Sequence, residues 1–62
     1  MVPYERRCEL VDEHVTLNGE AATICGTRQP FATVKQLGGI GQAEWAWETV
    51  ERIVANGGAF KA

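Results

Sequence analysis

The chain has no basic surplus, no long apolar run, only two cysteines and a single histidine. Each shortage excludes something. Six Lys and Arg stand against eight Asp and Glu, for a net charge of −2. Nucleic-acid binders draw most of their affinity from neutralised phosphates and released counterions. An acidic balance argues against that class, and against anionic membrane surfaces for the same reason. No run approaches the length of a membrane-spanning helix. The opening Met1-Val2-Pro3-Tyr4-Glu5-Arg6-Arg7 brings charge where a signal peptide needs apolar residues, so the expected location is the cytoplasm.

Cys8 and Cys25 are too few for a disulfide framework, and both are expected to stay free and pack as small hydrophobes. With His14 they form C-x5-H-x10-C, which matches no zinc pattern even if Asp12 is added. A Cys/His nucleophile needs a positioned base and a pocket. A 62-residue chain has little room for either. Gly38-Gly39-Ile40-Gly41 lacks the Lys-Ser/Thr of a phosphate loop. No catalytic, metal-binding or cofactor-binding residue is assigned, no cofactor is expected, and the chain does not read as an enzyme.

What is present describes a fold. Apolar residues make up 45% of the chain, enough for one core over residues 1–62. Residues 1–6 read as a loose arm around Pro3, and Cys8–Val11 as a short strand. Val15-Thr16-Leu17 and Ala21–Cys25 flank Asn18-Gly19, the dipeptide preferred in a type I′ hairpin turn. That turn sets Leu17 opposite Glu20 and Val15 opposite Ala22. Val15, Leu17, Ala22 and Ile24 then share an apolar side, while His14, Thr16, Ala21, Thr23 and Cys25 share the other. Phe31–Leu37 forms the next strand, after the turn at Gly26–Pro30.

Ala43–Trp47 alternates with period two. A helix there would set Trp45 and Trp47 roughly 200° apart, so a strand through Trp47 is expected. A helix from Glu48 to Asn56 follows, stopped by Gly57-Gly58, with Phe60 folding back. The fold class is α+β, a small antiparallel meander of three to four strands with one C-terminal helix packed on one face. Parallel pairing is not expected, because it needs a crossover of a dozen or more residues.

Trp45 and Trp47 are a large apolar payload for so short a chain. They serve either the core or, with Phe31 and Phe60, an interface with a protein partner or a second copy of the chain, for which an exposed sheet edge is the other candidate surface. A marginal core also favours self-association, and a homodimer is weighed above a monomer. The alternative is a nucleic-acid-binding sheet and helix acting as a small regulator, with Arg28 and Lys35 as contacts. The acids Glu9, Asp12, Glu13 and Glu20 oppose it.

The stretch Glu44-Trp45-Ala46-Trp47-Glu48-Thr49-Val50-Glu51-Arg52-Ile53-Val54-Ala55-Asn56-Gly57-Gly58 resembles the ends of small accessory proteins of bacteriophages and mobile elements. Ala22–Gly26 and Phe31–Val34 resemble their middle. The resemblance covers about half the chain and carries no catalytic motif. It implies a small cytoplasmic protein that acts by binding a host or phage macromolecule, with modulation of a host protein as the expected form of that activity.

Overall fold

The hairpin around Asn18-Gly19 organises the sheet. The computed structural model describes residues 1–62. Strands β1 (Val15–Leu17) and β2 (Glu20–Cys25) pair antiparallel, Val15 with Ala22 and Leu17 with Glu20. Asn18 and Gly19 take φ of 52° and 85°, the left-handed pair a type I′ turn demands. Strands β3 (Phe31–Gln36) and β4 (Gln42–Ala46) extend the antiparallel ladder outward. Helix α2 (Trp47–Ala55) follows without a break, and β5 (Ala59–Phe60) returns beside β1. The strand order is β4-β3-β2-β1-β5.

The fold is α+β, and four details differ from the sequence reading. Helix α1 (Tyr4–Val11) occupies the segment read as an arm and a strand. Glu5, Arg6, Arg7, Glu9 and Leu10 are good helix formers, and a four-residue alternation at Cys8–Val11 is too short to outweigh them. Residues 1–6 are not loose: Val2 is 3% exposed and joins the core, and the Arg7 amide donates to the Pro3 carbonyl to open the helix. Trp47 is the first residue of α2, not the last of β4. The sheet is mixed and five-stranded, because β5 pairs parallel with β1. The connection that parallel pairing needs is supplied by the body of the fold itself, through β2, β3, β4 and α2.

Both helices deliver side chains to one face. Leu10 of α1 and Trp47 and Val50 of α2 meet Val15, Leu17, Ile24, Ala32, Val34 and Phe60 in a single buried cluster. Trp45 on edge strand β4 contacts Phe60 on edge strand β5, with ring centroids 4.9 Å apart. The sheet therefore curls until its two edges share a core.

The turn into β5 rests on glycine. The Gly58 amide donates to the Ile53 carbonyl and the Gly57 amide to the Val54 carbonyl, closing α2 with paired bonds of the Schellman type. Gly58 has φ of 76°, and a Cβ there would lie 3.1 Å from both the His14 carbonyl oxygen and Val15 Cγ1. Its own carbonyl accepts from the Thr16 amide, which seats β5 against β1. Gly58→Ala meets both the left-handed penalty and the contact. It is expected to cost about 2 kcal/mol and to lower the melting temperature by roughly 10 °C in thermal denaturation followed by circular dichroism.

Candidate interaction surface

Helices cover the inner face of the sheet and leave the outer face open. Strand alternation and register put Thr16, Ala21, Thr23, Cys25, Phe31, Thr33, Lys35, Gln42 and Glu44 on that outer side. Phe31 is 53% exposed there. One step beyond β3, the Leu37 amide donates to the Ala21 carbonyl, so the ladder continues and Leu37, 67% exposed, extends the same row. The outer side of β3 thus carries an apolar residue at each end, with Thr33 and Lys35 between.

The residues singled out in the sequence separate. Trp47 and Phe60 are 1% and 0% exposed and belong to the core. Trp45 is half-buried on the inner side of β4, packed against the same cluster. Phe31 alone of the four faces outward. Arg28 and Lys35 are both exposed but do not meet. Arg28 projects from the loop before β3 and lies 5.7 Å from the ring centre of Tyr4. Lys35 sits near the end of β3, paired with Thr23 and Gln42 and one step diagonally from Glu44.

Cys8 and Cys25 are free and half-buried, and no group of three or more His, Cys, Asp or Glu side chains is placed to hold a metal ion. The one cavity is an open notch of about 420 Å³ beside the β3–β4 turn, lined by Glu20, Ala21, Gln36, Gly38 and Gly39. Its lining offers one carboxylate and one side-chain amide beside alanine and glycine.

The loop that presents Arg28 and Phe31 is held by a clamp. The Arg7 guanidinium donates to the carbonyls of Val2 (3.0 Å), Thr27 (3.1 Å) and Gln29 (3.2 Å). The Trp47 indole N–H donates to the same Gln29 carbonyl at 3.1 Å, and Arg7 stacks on the Trp47 ring at 5.3 Å. Arg6 adds a second tie, with Nε donating to Glu51 and a terminal nitrogen to Glu9, both at 2.9 Å. These two carboxylates raise the Arg6 pKa above its ordinary value. In the sequence, Arg6 and Arg7 stand out only as charge near the N-terminus. Their spacing from Trp47 and Gln29 gives no hint of the contact.

Glu48, in the first turn of α2, is held below the usual carboxylate range, chiefly by a hydrogen bond from its own backbone amide. Helix N-termini favour anions in this way.

Comparison with known proteins finds no matching family model, no matching curated protein and no matching solved structure.

Two outcomes follow from the clamp and the helix start. Arg7→Lys keeps the charge but loses the planar fork that reaches three carbonyls. It is expected to destabilise the fold almost as much as Arg7→Ala, by roughly 1–2 kcal/mol in urea denaturation. Glu48 has a depressed pKa, so its stabilisation is present above the unfolded value of 4.5 and is lost as pH falls through the lower folded value. Glu48→Gln is therefore expected to lower the melting temperature at pH 7, and the difference from wild type is expected to shrink as the pH falls below 4.5 and the carboxyl takes up its proton in the folded state as well.

Proposed function

We propose that this chain is a non-enzymatic interaction module whose outer sheet face docks a protein partner, with Phe31 as its anchor. The observation that carries the reading is the one-sided covering of the sheet. Both helices serve the inner core, and the other side keeps a half-exposed Phe31 and an exposed Leu37 in one row. Exposed aromatics on a rigid strand are typical anchors of a protein interface. Thr23, Thr33 and Ala21 form a low surface around them, which a flat partner can approach. The resemblance to bacteriophage accessory proteins supplies the form of the activity, namely binding and modulating a host protein in the cytoplasm.

The nucleic-acid alternative has weaker support. Arg6 and Arg7 are committed to internal partners. Lys35, the cation on the outer face, has the Glu44 carboxylate as its diagonal neighbour. Phosphate binding draws on clustered and uncommitted positive charge.

Phe31→Asp tests the docking reading. The side chain is exposed, so the melting temperature is expected to stay within a few degrees of wild type. Partners captured from host extract by the wild-type chain are expected to bind the variant at least tenfold more weakly. Equal capture of the same partner by the variant would remove the outer face as the binding surface.

A further inference from the structure

The two edges of the sheet are not alike. Strand β5 has two residues, and beyond it the Ala62 amide already donates to Asn18 Oδ1. Strand β4 has five residues, with Gln42 and Glu44 exposed and no proline, lysine or bulge to blunt it. Its hydrogen-bond phase follows from one contact. The Gln36 amide donates to the Gly41 carbonyl at 2.9 Å. Bonded pairs alternate along an antiparallel ladder, so Ala43 and Trp45 also bond inward to β3. The amides and carbonyls of Gln42 and Glu44 therefore point away from the sheet.

We infer that β4 is a self-pairing edge, on which a second copy of this chain adds its own β4 antiparallel, with Gln42 of each opposite Glu44 of the other. The inference goes beyond the docking face proposed above and does not depend on it.

The register comes from the residues. A twofold axis through Ala43 matches the free groups of Gln42 and Glu44 in both copies, giving about four backbone hydrogen bonds. On the inner side, Trp45 of each copy falls opposite Gly41 of the other, beside the Gln36 side-chain amide that packs over that glycine. Trp45 is half-buried in the single chain, and the added strand would cover it. Ile40, fully exposed at 101%, comes opposite Ala46. Other registers are worse. Sliding by two residues one way sets Glu44 against Glu44, and like charges directly opposite are destabilising. Sliding by two the other way sets Ile40 against Glu44. A slip of one residue leaves the free groups unmatched.

Sedimentation over a wide range of protein concentration tests this. A monomer–dimer equilibrium is expected for the wild-type chain, with the amides of Gln42 and Glu44 gaining protection from hydrogen exchange as concentration rises. Gln42→Lys creates two cross-strand ion pairs and is expected to tighten the dimer roughly threefold to tenfold. Gln42→Glu creates two like-charge pairs and is expected to weaken it by a similar factor, with both effects shrinking in high salt. Glu44→Pro removes an amide that points away from β3, so it is expected to abolish the dimer with the monomer's circular dichroism intact. Should that variant unfold, the two Gln42 variants still decide, because they leave the backbone unaltered. Phe31→Asp is expected to leave the dimer unchanged. A wild-type chain that stays monomeric at about 1 mM, or a dimer unmoved by both Gln42 variants, overturns the inference.

Discussion

The carbonyl of Gln29 is where three distant parts of the chain are fastened together. Arg7 arrives from α1, Trp47 arrives from the start of α2, and the carbonyl belongs to the loop between β2 and β3. The Trp47 side chain is buried, and its indole N–H would be costly to leave unpaired. The bond is available only because the loop turns that carbonyl inward. Arg7 then lies over the Trp47 ring and bonds the same loop at Thr27, so that desolvated aromatic area and charge-assisted hydrogen bonds reinforce one another.

That constraint explains why a hydrophilic helix stays on so small a fold. Helix α1 buries only Leu10 fully. Its attachment relies on Arg7 against the loop, Arg6 against Glu51 of α2, and Val2 inserted into the core. With α1 and α2 both committed to the inner face, the sheet has no covering left for its outer side. The open face and the unblunted edge of β4 are two consequences of one short chain spending its apolar residues on a single core.

Much of the sheet was legible in the residues. Asn18-Gly19 set the hairpin and its register, because few dipeptides accept left-handed conformations at both positions. The apolar alternation of Val15, Leu17, Ala22 and Ile24 named the buried side correctly. The Gly57-Gly58 stop after α2 was also readable, since an L side chain is strained where both glycines sit. The site was less legible. Phe31, Phe60, Trp45 and Trp47 look alike as aromatic residues, and only burial separates the exposed one from the three that face inward.

Local chemistry by itself determined the hairpin, the strand periods, the helix stop and the α+β class, because each depends on dihedral preferences or on spacing within a few residues. The tertiary structure decided the rest. Nothing near Tyr4–Val11 in sequence says that Arg7 will find Gln29, and that contact carries the N-terminal helix. Nothing near Phe60 says that β5 will lie parallel to β1, since that choice depends on where α2 ends above the curled sheet. Pairings across dozens of residues depend on how the elements close around one core. That closure also determined which faces and edges of this protein remain open to other molecules.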